Sequence, residues 1–131
     1  MSGVSNRMKT FKLYLLIGIG GALGSLARYS VSIITFDFFQ GSVFPIDTFI
    51  TNLCGCFFLS FLLYHYIKEK LSDDYFQALT VGILGSFTTF STVMVETITL
   101  WSHHLLLATL YIGLSILGGL LFCYIGYKLA M

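Results

Sequence analysis

The stretch Gly85-Ser86-Phe87-Thr88-Thr89-Phe90-Ser91-Thr92 places a glycine and five hydroxyl side chains inside an apolar segment of membrane length. In hydrocarbon every backbone polar group needs an internal partner, so irregular backbone is tolerated there only when buried in protein or facing a polar cavity. A helix interrupted at these residues offers carbonyls that are not already hydrogen-bonded, and such broken membrane helices hold ions. Asn52 sits inside another apolar stretch. Its amide either bonds a neighbouring helix or lines an ion path. Arg28 and Glu96 are costly in hydrocarbon unless paired or near water, which leaves a mutual ion pair or separate exposure at opposite vestibules.

Positioning these groups falls to an apolar scaffold. Of 131 residues 56% are hydrophobic and 10% charged, a balance that indicates an integral membrane protein. A span needs about 20 mostly apolar residues, and four stretches qualify: Leu13 to Thr35, Ile46 to Ile67, Phe76 to Trp101 and Leu105 to Tyr127. Short joints at Phe36 to Pro45, Lys68 to Tyr75 and Ser102 to His104 make residues 1–131 a single all-α unit of four transmembrane helices with a break in the third. The basic N-terminal region before Leu13 resembles a secretory signal, but three further spans favour a retained first helix.

Four spans put both termini on one side, which then carries Arg7, Lys9, Lys12, Lys68, Lys70 and Lys128 while the other carries Arg28. The positive-inside rule makes the terminal side cytoplasmic. A net charge of +1 gives no case for nucleic-acid binding.

In the first span, Gly20 with Gly24 and Gly21 with Ser25 form small-residue pairs that let helices approach closely. The G-x-G-x-x-G spacing of a dinucleotide site is not met. Ser115 and Gly119 make a similar pair in the fourth span, with Tyr111 one turn earlier. Cys54, Cys56 and Cys123 lie within spans and suit packing rather than disulfides, since residues two apart on a helix face different ways. His103 and His104 are adjacent and His65 stands apart, which suits interfacial positions better than a metal site. With no nucleophile beside a spaced base, no metal-ligand cluster and no soluble active-site domain, the chain does not read as an enzyme.

Three segments together resemble the Fluc, or CrcB, family of small fluoride channels. Gly20-Gly21-Ala22-Leu23-Gly24-Ser25-Leu26-Ala27-Arg28-Tyr29 is similar to the family's Gly-rich first-helix motif, and Thr48-Phe49-Ile50-Thr51-Asn52-Leu53-Cys54-Gly55 to its Thr-x-x-x-Asn-x-x-Gly pattern. The run from Gly85 to Thr92, followed by Glu96, is the most specific of the three. The resemblance implies an antiparallel dimer with two fluoride pores and a structural sodium ion held by the backbone carbonyls of Gly85 and Thr88 from both subunits. It implies that Asn52, Phe90, Thr48 and Ser91 line or adjoin a pore, with Tyr111 and Ser115 on a polar track of the fourth helix. The physics agrees with these residue types: replacing fluoride's water takes amide and hydroxyl donors and the positive edge of a phenyl ring, with no fixed cation binding so tightly that release fails.

The chain departs from that pattern at Val93, where the family commonly has a second Phe, at Asp47, where it often has Gly, and at Gly119, where a further hydroxyl is expected. Six basic residues against one also favour pairing with an oppositely oriented homologous subunit over a dual-topology homodimer. The expected function is passive fluoride export across the cytoplasmic membrane. One alternative is a small multidrug-type, proton-coupled transporter; that family carries its Glu in the first helix, whereas here no acid lies between Leu13 and Phe36. A second is a non-conducting assembly subunit of a heterodimeric channel.

Overall fold

The computed structural model describes residues 2–64 and 72–131, apart from the side chains of residues 2–6 and 9. Lys68, Lys70, His65 and the expected end of the second span at Ile67 lie outside the described residues, as does the side chain of Lys9. The described residues are helical almost throughout: α1 (Ser2–Phe38), α2 (Ile46–Tyr64), α3 (Asp73–Gln77), a π-helical stretch (Ala78–Leu84), α4 (Gly85–Phe87), α5 (Phe90–His103) and α6 (Leu105–Ala130). Four helical runs are long and apolar enough to cross a membrane: Thr10–Phe38, Ile46–Tyr64, Asp73–His103 and Leu105–Ala130. The chain is a multi-pass membrane protein.

Several helix ends differ from the sequence reading because capping groups and backbone bonds, rather than apolarity, set them. The first helix runs on through Phe38 and closes in a turn where Gly41 takes φ +84°, a left-handed angle that glycine adopts without steric cost. The second helix starts at Ile46 as expected, directly after Pro45, whose carbonyl accepts from Phe49 N at 3.1 Å. The expected joint at Ser102 to His104 shrinks to His104 alone. His104 N donates to the Leu100 carbonyl and its own carbonyl accepts from Ala108 N, so one residue ends one helix and starts the next.

Two helix pairs dominate the packing: α1 lies against the π-helical stretch and α4, and α2 lies against α6. Glycine makes both approaches possible. A Cβ on Gly24 would strike the Ile83 carbonyl oxygen and Ser86 Oγ, and one on Gly126 would strike the Phe57 carbonyl oxygen. Ser86 Oγ reaches the carbonyls of Gly21 (2.9 Å) and Gly82 (2.7 Å), tying the third span to α1. Ser60 Oγ donates to the Cys123 carbonyl at 2.7 Å, tying α2 to α6. Gly24→Val is expected to lower the subunit's stability by about 1–3 kcal/mol, the usual range for overpacking. Gly18→Ala, with nothing near the added carbon, is expected to be neutral or slightly stabilising. Unfolding titrations in detergent check both.

The core is small. Val93, Leu100, Ala108 and Tyr111 are buried together, flanked by Phe44, Phe49, Met94 and Leu107. Phe44 packs edge-on against Phe49 and Tyr111, with ring centroids 5.5 and 5.3 Å apart. Most other large apolar side chains are exposed on the single chain, as expected where the surrounding medium is lipid or a second subunit.

Candidate functional site

Helical geometry lapses at Thr88 (φ −82°, ψ 160°) and Thr89 (φ −152°, ψ 126°). Asn52 on α2 meets both backbone groups of Thr89: its Nδ2 donates to the Thr89 carbonyl at 2.9 Å, and its Oδ1 accepts from Thr89 N at 2.8 Å. In an uninterrupted helix Thr89 N would bond the carbonyl of Gly85, four residues earlier. A second exchange follows at once. Thr92 N, which would bond the Thr88 carbonyl, donates instead to Thr89 Oγ1 at 3.2 Å, an N-cap for α5. The N–H groups that a regular helix delivers to Gly85 and Thr88 therefore go to an asparagine amide and a threonine hydroxyl.

Beside this interruption lies a mostly apolar cleft of about 540 Å³, onto which Asn52, Gly85, Thr88, Phe90 and Ser115 face. Phe90 stands at its rim, 76% exposed. Ser115 Oγ is buried and has no hydrogen-bond partner, alone in this among the described side-chain polar atoms. An unmet hydroxyl in a buried position is costly, and here it belongs to a wall of the cleft. Cys56 and Cys123 also reach this cleft as free thiols, Cys123 Sγ lying 3.5 Å from the Cys56 carbonyl oxygen.

Thr48, Glu96 and Tyr111 form a separate polar group. Thr48 Oγ1 donates to Glu96 Oε1 at 2.8 Å and Tyr111 Oη to Glu96 Oε2 at 2.6 Å, so both carboxyl oxygens are engaged by hydroxyls. An Arg28–Glu96 ion pair is not formed. Two hydroxyls from α2 and α6 already surround the carboxyl group, while Arg28 lines a different polar cleft of about 320 Å³ with Thr48, Thr51, Thr89 and Thr92. Tyr111 is fully buried and packed on Phe44, and its hydroxyl donates to Glu96, while Ser115 one turn on faces the cleft. Ser91 is exposed, with its Oγ 3.3 Å from Thr89 Oγ1.

The chemistry missed in the sequence is that of Thr89, the residue common to the two clefts and to both backbone exchanges. A Thr at the point where a span resumes is an N-cap signal, here without the Glu or Gln three residues on that would strengthen it. Val93, expected as the site of a missing ring, is buried in the core and also reaches the cleft.

Comparison with known proteins bears on most of the chain. The family model described as "CrcB-like protein, Camphor Resistance (CrcB)" matches residues 15–127. A protein of Bacillus anthracis named "Fluoride-specific ion channel FluC 1" is 42% identical over 119 residues, covering 89% of this chain and 86% of the relative. Proteins of the same name are 40% identical over 130 residues in Bacillus cereus, covering 96% of this chain and 90% of the relative. In Staphylococcus epidermidis the figure is 40% over 123 residues, covering 88% and 94%. Because the matched region takes in all three motifs and the whole of the interrupted span, the chain belongs to the CrcB family.

Proposed function

We propose that this chain is a subunit of a fluoride-selective channel that lets fluoride leave the cell passively and so lowers its internal concentration. The chain is a channel component and not an enzyme. The observation that carries the reading is the convergence of donors on the cleft beside Thr88 and Thr89. Ser115 Oγ lacks a partner there, and Asn52 spends one amide N–H on Thr89, leaving the second. The edge of the Phe90 ring supplies a positive quadrupole. Such a set can replace the water of a small anion, and without a cation fixed in its path the anion can also leave.

The two backbone carbonyls deprived of helical partners, at Gly85 and Thr88, suit a hard cation such as sodium, which prefers oxygen ligands. Two subunits meeting at their interruptions would supply the ligands together, and a bound ion would hold the two interruptions against each other. Thr48, Arg28 and Glu96 belong to the approach to the pore, Ser91 to its exposed edge, and Tyr111 supports Glu96.

In this reading residues 1–131 act as one unit in the cytoplasmic membrane with both termini inside. The partner is an oppositely oriented homologous subunit, with a dual-topology homodimer as the alternative. The basic bias toward the terminal side supports the heterodimer. No energy source is needed. About 100 mV across the membrane is worth about 2.3 kcal/mol per charge, which at about 1.4 kcal/mol per tenfold holds internal fluoride roughly fortyfold below external.

The test is fluoride efflux from liposomes carrying the purified chain, with and without the opposite-topology homologue, chloride serving as control. Selective efflux with the homologue only supports the heterodimer, and efflux from the chain alone supports the homodimer. No efflux in either case overturns the channel reading.

A further inference from the structure

A carboxylate in the first turn of the second span lies where two clefts meet, a place that the channel reading does not use. Asp47 lies in the first turn of α2, half-buried. It lines the 320 Å³ cleft that holds Arg28, Thr48 and Thr89, and it also lines a neighbouring cleft of about 340 Å³ that holds Glu96. Its carboxylate is fixed from a second helix, for Ser32 Oγ on α1 donates to Asp47 Oδ2 at 2.8 Å. Arg28 is the one cation lining that first cleft, and among the described residues no ion pair ties it to Asp47. Thr89 lines both this cleft and the cleft of Asn52 and Phe90, so the polar mouth adjoins the proposed conduction path at that residue.

A cleft lined by charge of one sign and walled by low-dielectric protein concentrates or depletes mobile ions according to their sign. Arg28 alone would draw anions to this mouth. Asp47, held in the same wall with Glu96 on its far side, opposes that attraction. We propose that Asp47 is a rate-limiting charge at this mouth: it lowers the local concentration of fluoride, and so slows entry at low fluoride, without taking part in the conduction cleft. The inference deepens the channel reading and rests on it.

Asp47→Asn tests this with little disturbance, since the amide oxygen can still accept from Ser32 while the charge is gone. Asp47→Glu keeps the charge. Initial fluoride flux is measured in liposomes holding the conducting complex, over a range of fluoride concentrations, at ionic strengths of about 10 mM and about 300 mM, adjusted with an impermeant salt. At low salt and subsaturating fluoride, Asp47→Asn is expected to conduct about three- to tenfold faster, below the roughly ten- to thousandfold range of a wholly one-signed cleft, as fits the loss of a single charge. The ratio should shrink toward one at high salt and at saturating fluoride, and Asp47→Glu should match the parent. A structural role for Asp47 would change flux equally at both ionic strengths. Parent flux with a ratio of one at low salt, or an Asp47→Asn effect indifferent to salt, overturns the inference and leaves the channel reading intact. Absence of flux in the parent complex overturns the channel reading and this inference with it.

Discussion

Asn52→Ala is expected to reduce fluoride flux by about two orders of magnitude and to destabilise the subunit, because this one amide satisfies both backbone groups of Thr89. Leaving a buried donor or acceptor unsatisfied costs about 1–3 kcal/mol. Thr89 is half-buried rather than sealed, so the interrupted conformation is expected to lose about 3 kcal/mol relative to a continued helix, near a hundredfold in their population ratio at about 1.4 kcal/mol per decade, and flux follows the interrupted conformation. There is also a route by which the chain would relax. With Asn52 gone, Thr89 N is free to return to the Gly85 carbonyl and continue the helix, which would withdraw one proposed sodium ligand. Flux in the Ala variant should therefore be lost together with any dependence of stability on sodium. Asn52→Asp separates the backbone role from the pore role. It keeps an acceptor for Thr89 N but removes the donors and turns negative charge toward the cleft, so it should retain more stability than Asn52→Ala while conducting no better. Flux assays and detergent unfolding, with sodium or with a large organic cation in its place, measure both. Parent-like flux in Asn52→Ala would sink the assignment.

How much of this was legible in the sequence depends on which force acts at each position. Membrane insertion acts on long apolar runs, so the four spans stand in the composition; the start at Ile46 after Pro45 is as read, and other described ends moved by a few residues, as where Gly41 and His104 imposed a local solution. Of the small-residue pairs on α1, Gly20 with Gly24 sits where another backbone passes, whereas nothing lies near a Cβ added at Gly21. Polar partnership was less legible. Arg28 and Glu96 lacked opposite charges nearby in sequence and suggested each other, yet Glu96 is satisfied by two hydroxyls, Thr48 lying 48 residues away and Tyr111 15. Hydrogen-bond partners across helices depend on rotation and depth, which hydrophobic pattern does not encode when every face of a helix is apolar. Asn52 shows the same limit from the other side. The sequence left its amide between a helix partner and an ion path, and its geometry makes it a partner of backbone with one donor to spare.

The Glu96 cluster carries the second large effect, and it separates support of the pore from contact with the ion. Tyr111→Phe removes one hydroxyl from a packed position without changing the ring that rests on Phe44. It leaves Glu96 Oε2 without its 2.6 Å donor. Hydrogen bonds across membrane helices average well under what their burial suggests, but those to a carboxyl group stand at the strong end, so a loss of about 1–2 kcal/mol is expected. A double-mutant cycle of Tyr111→Phe with Glu96→Gln should return a coupling of similar size, and Thr48→Val with Glu96→Gln somewhat less. Arg28→Gln with Glu96→Gln should be additive within about 0.5 kcal/mol, as for sites that share no partner. The flux readout decides the role. Because the Tyr111 hydroxyl points to Glu96 rather than into the cleft of Asn52, Phe90 and Ser115, the Phe variant should keep the parent's preference for fluoride over chloride while losing stability and some rate. Ser115→Ala, which deletes the unpartnered hydroxyl on the cleft wall, should do the reverse, with stability held or improved and fluoride flux reduced. Loss of selectivity in Tyr111→Phe at unchanged stability would return Tyr111 to the pore lining, and a large Arg28–Glu96 coupling would restore the ion pair that the geometry replaces with hydroxyls.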